Sequence, residues 1–385
     1  MYIQRFQEPL VRKSLTHFPV TAVVGPRQCG KSTLVRQIIS TRKDVVYLDL
    51  ERPSDIEKLS DAEWFFQSQR GKLICLDEVQ RKKDLFPLIR SLTDEWEGNG
   101  HFLITGSATP ELLRQSSESL AGRISYHYLS PFIWDEIQNF CTVEEYVQKG
   151  GFPKSLLTKD DELSMHWREN FIVTFLERDL SFWSGFSTIT MRRLWQMLAH
   201  INGQVVNYSS LGKSLGISHS TIRNYIDLLE ATFMVKLLPP YFSNLGKRIV
   251  KAPKVYITDT GIVNALLGID SFDKAAGHPV FGSLWESVLL TNLKAQFSNA
   301  GFYYYRSSHG AEIDIVLEYK GKVIAIECKN KLSPTLSKGN YNAIEDINPV
   351  YTCVVAPVKE GWPMKKGIDV VSLDELFIKI NALLM

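Results

Sequence analysis

Cysteine is scarce in this chain: five in 385 residues, an odd number with no Cys-x-x-Cys spacing. That excludes a disulfide framework and argues against a structural zinc site. Long apolar runs are missing too, and none approaches the roughly 18 residues a membrane helix needs. The opening "MYIQRFQEPLVRK" has neither an apolar core nor a small-residue cleavage site, so no secretory signal is expected. Internal repeats and low-complexity tracts are absent. With these features lacking, the expectation is a reduced, cytoplasmic protein with no membrane partner. A strong overall charge is also lacking, the formal net being +2. What is present is length: 385 residues exceed one ordinary core and predict two to four domains.

Charge is uneven along the chain. Between Phe186 and Ile257 nine Lys or Arg face two Asp or Glu, a local basic excess that bears on partners.

The first third carries the clearest chemistry. A β-branched run, "TAVV" (21–24), and a stretch with helical spacing, "STLVRQIIS" (32–40), flank "GPRQCGKS". That segment fits G-x-x-x-x-G-K-[ST] at Gly25, Gly30, Lys31 and Ser32. Glycines let backbone N–H groups close around phosphates, and the helix N-terminus adds positive potential. The whole loop, Gly25, Pro26, Arg27, Gln28, Cys29, Gly30, Lys31, Ser32 and Thr33, is the candidate nucleotide-binding segment. Lys31 is placed on the β- and γ-phosphates of ATP, and the Ser32 hydroxyl on Mg²⁺. A second apolar run, "KLICLDEV" (72–79), ends in two acids. Asp77 is assigned to Mg²⁺ through water and Glu78 to polarising the lytic water. "HFLITGSA" (101–108) is a further strand whose Thr105 or Ser107 is a candidate sensor of the γ-phosphate. With "VVYLDL" (45–50), these strands predict a doubly wound parallel sheet binding nucleotide at its carboxyl edge.

The segments "GPRQCGKST", "LDEVQ", "LITGSA", "LAGR" (120–123), "LSPF" (129–132) and "GGFP" (150–153) occur in that order. Together they resemble the prokaryotic AAA+ ATPases that carry a C-terminal domain of unknown function, a likeness spanning essentially the whole chain. The resemblance implies that Arg123 is an arginine finger or sensor, completing a neighbour's site or its own, and that the chain forms a homo-oligomeric ring or partial ring. Cys29 departs from the aliphatic residue expected there and would make the loop oxidisable.

Residues 136–200 read as a helical lid or linker after an ATPase domain over 1–135. "NYSSLGKSLGISHSTIRNYIDLLEATFMVKLL" (207–238) gives two short amphipathic helices about a turn at Gly216. Leu211, Leu215, Ile217, Ile222, Ile226 and Leu229 form the apolar face, and Ser218 caps the second helix. Two strands with a basic loop follow, so 201–260 is read as a winged helix-turn-helix. On DNA, His219, Ser220, Arg223 and Asn224 would face the major groove, with Lys247, Arg248, Lys251 and Lys254 on phosphates. Winged helices also serve protein contacts, and that alternative stays open.

Residues 275–385 form the last predicted domain. "EIDIVLEYKGKVIAIECK" (312–329) reads as a hairpin turning at Lys320-Gly321. A two-residue loop sets Tyr319 against Lys322, Asp314 against Glu327 and Glu312 against Lys329, with Ile313, Ile315 and Leu317 on the other face. Two carboxylates directly opposite repel; Mg²⁺ between them would remove that repulsion, with Lys329 orienting a water. An ion pair of Glu312 with Lys329 is the structural alternative. Helix, strand, hairpin, helix and strand in that order resemble the restriction-endonuclease-like PD-(D/E)xK fold, whose signature matches Asp314, Glu327 and Lys329, and whose helical acid matches Glu286. The fold expected is α/β throughout: P-loop AAA+ domain, helical lid, winged helix-turn-helix and nuclease-like domain. Three functions follow: a Mg²⁺-dependent ATPase engaging branched or broken DNA, an ATP-gated metal-dependent nuclease, or a nucleotide switch acting on protein partners.

Overall fold

The computed structural model describes residues 2–107, 120–179, 186–242 and 250–384. The chain divides into two units, residues 1–132 with 231–233, and residues 133–230 with 234–385. All five cysteines are free. Among the described residues no helix is long and apolar enough to cross a membrane.

In the first unit, five strands form a parallel sheet: β1 (Val20–Gly25), β2 (Val45–Asp49), β3 (Leu73–Asp77), β4 (Phe102–Ser107) and β5 (Ile124–Tyr128). Their order is β2-β3-β4-β1-β5. Successive side chains point to opposite faces, and both faces are covered. Val20, Ala22 and Val24 pack with Ile74, Leu76, Phe102 and Ile104 on one side. Val23, Leu73, Cys75 and Leu103 pack on the other against Leu34, Val35 and Ile38 of the helix Lys31–Ile39. Burial on both faces is why these strands are written as unbroken apolar runs. All five strands run the same way, so Gly25, Asp77 and Ser107 finish at one edge of the sheet.

The second unit begins with helices, among them Val143–Lys149, Asp161–Thr174 and Thr188–His200. Its glycine pair has a packing reason. Gly150 has φ +72°, and a Cβ there would lie 2.0 Å from Asp259 Oδ1. Asp259 accepts the Gly151 N–H at 2.7 Å and caps the helix Thr260–Leu267 by accepting the Ile262 N–H at 3.1 Å. Burial pushes the Asp259 carboxyl up to about 6.

Helices Tyr208–Leu215 and His219–Ala231 then pack beside a small antiparallel sheet of β6 (Gln204–Val205), β7 (Val235–Leu238) and β8 (Lys254–Ile257), ordered β6-β8-β7. Gly216 takes the left-handed conformation that ends the first helix, at φ +68°. Ser218 Oγ accepts the Thr221 N–H at 3.0 Å at the start of the second.

Six strands make the last sheet: β9 (Gly301–Arg306), β10 (Glu312–Tyr319), β11 (Lys322–Cys328), β12 (Tyr351–Val355), β13 (Trp362–Lys365) and β14 (Ile368–Val371). They are ordered β13-β14-β12-β11-β10-β9, with the β11-β12-β14 core parallel and the edges antiparallel. The hairpin turns through Lys320 at φ +49° and Gly321 at φ +76°, the two positive values that a tight two-residue connection needs. Tyr319 faces Lys322 and the register holds to Ile315 opposite Ile326. Beyond that point the expected alternation fails. The β9 register shifts between Ile313 and Val316, so Ile313 joins Val316 and Ala325 against Ala343 and Ile347 of the helix Lys338–Ile347. It does not extend the face of Ile315 and Leu317, because a bulge adds one residue and reverses the alternation.

Candidate functional site

The segment after β1 turns through Gln28 at φ +61° and Gly30 at φ +103°, and the helix begins at Lys31. Gly25 lies so close to the next strand's exit that a Cβ would sit 2.1 Å from the Leu129 carbonyl oxygen. Lys31 is buried, its Nζ donating to the carbonyls of Gly25 at 3.1 Å and Pro26 at 2.9 Å. Ser32 is half-buried, and Gln28 and Thr33 are exposed. The back of the loop is held by a residue with no local sequence signal. Arg5 donates to the carbonyls of Cys29 at 2.8 Å and Ser130 at 2.6 Å, with its guanidinium 4.7 Å from the Phe132 ring centre. Cys29 corrects an expectation. Its thiol is fully buried against the Leu129 carbonyl at 3.3 Å, and burial pushes its pKa up. A buried thiol kept protonated is inert, not oxidisable.

At the end of β3, Asp77 is buried and accepts two hydroxyls: Thr105 donates to Oδ1 and Tyr47 to Oδ2. Thr105 Oγ1 also accepts the Glu78 N–H at 3.2 Å. One threonine on β4 therefore ties both acids together. Tyr47 is a residue that motif reading missed. The signal lay in the pairing of β2 with β3, which sets Tyr47 beside Cys75, two residues before Asp77. Glu78 adopts the left-handed conformation at φ +59°, sparsely populated for a non-glycine residue and kept only where surroundings enforce it. The Gln80 amide donates to its Oε2.

Ser107 ends β4 opposite Gly25 in the register, at the phosphate-binding edge. Arg123 does not reach that edge. It precedes β5, whose first residue pairs with Val20 at the opposite end of β1, five strand residues or ~17 Å away. There it donates to Asp94 Oδ1 at 2.5 Å and to the Ala121 carbonyl at 3.0 Å. Completing its own nucleotide site is thereby corrected.

A second cluster lies in the other unit, in a cavity of about 760 Å³ lined by Lys254, Glu286, Arg306, Glu312, Asp314, Glu327, Lys329 and Asn340, among others. Glu286, predicted from a helix, and Asp314, Glu327 and Lys329, predicted from one hairpin, are all brought there. Asn202 builds the frame: its amide donates to Ser283 and Ser287 of the helix Phe281–Gln296 and accepts the Ile257 N–H at 2.8 Å. Tyr256 donates to Glu286 Oε2 at 2.7 Å. Asp314 Oδ2 accepts the Cys328 N–H at 3.0 Å, and Lys329 Nζ lies 2.6 Å from Glu327 Oε1.

Two expectations are corrected in this cavity. Glu312 does not pair with Lys329; it sits opposite Arg306 on β9, and its ion partners are Lys254 at 3.0 Å and Arg306 at 3.6 Å. Lys254 is no phosphate contact. Its side chain is only 4% exposed and it also lies 3.5 Å from Asp314 Oδ1. Its ammonium points into the cavity, where the acids of β10 hold it. Burial works against its ammonium, but the charges of Glu286, Asp314 and Glu312 outweigh it and raise its pKa. Burial, reinforced by the Asp314 charge, raises both Glu286 and Glu327.

For a divalent cation the donor set is right, all carboxylate oxygens. Glu327 is 3% exposed, and its Oε2 has no hydrogen-bond partner among the described residues. Among those residues, however, no three acidic, histidine or cysteine side chains converge as a metal group.

On the helix pair, His219, Ser220, Arg223 and Asn224 are exposed, as is Lys251. The Arg223 guanidinium lies 5.2 Å from the Tyr208 ring centre. Lys247 and Arg248 fall outside the described residues.

A phosphate-binding loop after β1, paired acids at the end of β3 and a five-stranded parallel sheet define an AAA-type P-loop ATPase. Residues 17–147 match the family described as AAA domain. Residues 141–273 and 281–376 match two domains of unknown function, DUF8612 and DUF4143. The chain belongs to the family of two uncharacterized mycobacterial proteins, one from Mycobacterium bovis and one from Mycobacterium tuberculosis. Each is 36% identical over 367 residues, covering 95% of this chain and 82% of the relative. Among solved structures, a Walker-type ATPase of Pyrococcus abyssi aligns with a TM-score of 0.49 at 15% identity, over 69% of this chain and 96% of its own.

Proposed function

We propose that this chain is a Mg²⁺-dependent ATP hydrolase that couples its nucleotide state to DNA. The observation carrying hydrolysis is the Asp77–Thr105–Glu78 unit, in which one hydroxyl donates to the Asp77 carboxylate and accepts the Glu78 backbone N–H at the edge where Gly25 and Lys31 stand. Lys31 would exchange its two carbonyl partners for phosphate oxygens, and loop N–H groups would hold the remainder. Ser32 and Asp77 would hold Mg²⁺, which when bound neutralises charge on the transferring phosphoryl group. Glu78 would accept the proton of the attacking water. Arg123 would serve a neighbour's site in a ring or partial ring, and Ser107 would contact the γ-phosphate.

Support for DNA comes from the exposed His219, Ser220, Arg223 and Asn224 on one helix and from the basic excess around them. Read as a winged helix, this module would place that helix in the major groove, with Lys251 on a phosphate. The test is ATP turnover on single-stranded, duplex and four-way-junction DNA at low salt. Stimulation lost in Arg223→Glu and in Lys31→Ala is the expected result; turnover indifferent to every DNA would sink the coupling.

A second reading, an ATP-gated nuclease, is favoured by the Glu286–Asp314–Glu327–Lys329 cavity. Its acids would hold Mg²⁺, and Lys329 would orient the water. Mn²⁺- or Mg²⁺-dependent cleavage that disappears in Asp314→Ala while ATP turnover persists is the result it requires.

A further inference from the structure

Two acids of the C-terminal cavity share a counter-ion that comes from outside their own sheet. Lys254, on β8, places its Nζ 3.0 Å from Glu312 Oε1 and 3.5 Å from Asp314 Oδ1. The strand carrying it is bound to the helix of Glu286 through Asn202, which accepts the Ile257 N–H at 2.8 Å and donates to Ser287 at 2.9 Å. The ammonium is therefore held in place by the framework and is not a surface side chain that has folded over. In the same cavity, Glu327 Oε2 is buried without a hydrogen-bond donor among the described residues.

An ammonium and a divalent cation seek the same oxygens. Inside a cavity they repel strongly, because the effective dielectric there is far below that of water. We propose that Lys254 occupies, by charge, the position a divalent cation would take between Glu312 and Asp314, and so sets the metal affinity of the cavity. The cavity is then a metal site closed by its own lysine, and cation entry requires Lys254 to leave. Movement of β8 away from β10 would open it. This inference rests on reading the cavity as a metal site.

The test is Mn²⁺ binding to the full chain without nucleotide, followed by electron paramagnetic resonance, with thermal melting in parallel. The variants are Lys254→Met, which keeps the stem and removes the charge, Lys254→Arg, which keeps the charge, and each combined with Asp314→Asn. Removing one partner of a buried pair destabilises, so Lys254→Met should melt early without metal and recover with Mn²⁺ by mass action. Supporting results are Mn²⁺ affinity at least about tenfold tighter in Lys254→Met than in the wild type, a melting point restored by Mn²⁺, and loss of both with Asp314→Asn. Equal affinity in wild type, Lys254→Arg and Lys254→Met, still abolished by Asp314→Asn, would overturn the role of Lys254 while leaving a metal site. Absence of any Asp314-dependent Mn²⁺ binding would overturn the metal reading and this inference together.

Discussion

At the end of β3, Asp77 is met by the hydroxyls of Tyr47 and Thr105; in the C-terminal cavity, Glu312, Asp314 and Glu327 are met by the ammonium groups of Lys254 and Lys329. Hydroxyls orient a carboxylate and leave its charge in place. Ammonium groups cancel it. Lys31 likewise rests on the carbonyls of Gly25 and Pro26, neutral partners it can release to a phosphate. The nucleotide site thus keeps its charges available for a ligand, whereas the cavity has spent most of its charge internally. Presence of the right residue types is shared by the two regions; readiness is not.

The contrast is broken most severely at Lys31. Lys31→Ala should remove ATP hydrolysis to background in a phosphate-release assay, and Glu78→Gln should lower kcat by about 10²–10³-fold while nucleotide still binds. Neither change should alter Mn²⁺ affinity of the cavity. Thr105→Val keeps the shape and deletes the hydroxyl serving both Asp77 and Glu78, so kcat should fall about tenfold, the loss of one to two modest hydrogen bonds. Tyr47→Phe, which removes one donor to Asp77, should cost a few-fold, and a fall as large as that of Thr105→Val would mean Tyr47 does more than orient. Asp314→Ala should leave ATP turnover within about twofold, and a larger drop would show that the two sites are not independent.

The smallest effect concerns an acid with backbone N–H donors, Asp259, which burial pushes up to about 6. The folded chain then holds a proton there that the unfolded chain has released. Stability from this group is present below the unfolded value and is lost as pH rises through about 6, a change of roughly a few kcal/mol at most. Thermal melts between pH 4 and 7 should show that decline, and Asp259→Asn, which removes the titrating group and keeps an acceptor for only one of the two N–H groups of Gly151 and Ile262, should flatten it at a lower overall stability.

Much of this was legible in the residues. The P-loop, Asp77 and Glu78 were readable because their chemistry depends on short spacings: glycines that permit the turn, and a strand end that presents acids. The hairpin register was readable from its Lys320-Gly321 turn as far as Ile315 opposite Ile326, but not to the predicted pairing of Asp314 with Glu327. What escaped reading was contact between distant segments. Arg5 grips the P-loop from 24 residues away, and Tyr47 reaches Asp77 across 30. Lys254 looked like one more basic residue beside an exposed helix until the fold set it against Glu312 and Asp314.

By itself, then, the sequence determined the loop, the two acids at the end of β3, the paired helices and the hairpin, since each follows from backbone preferences and periodicity within a few tens of residues. Only the tertiary structure decided which partner each charge meets. It set Arg123 at the far end of the sheet from the P-loop, buried Cys29 out of reach and placed Lys254 among the acids of the cavity. Strand order and burial govern those outcomes, and neither is encoded in local spacing.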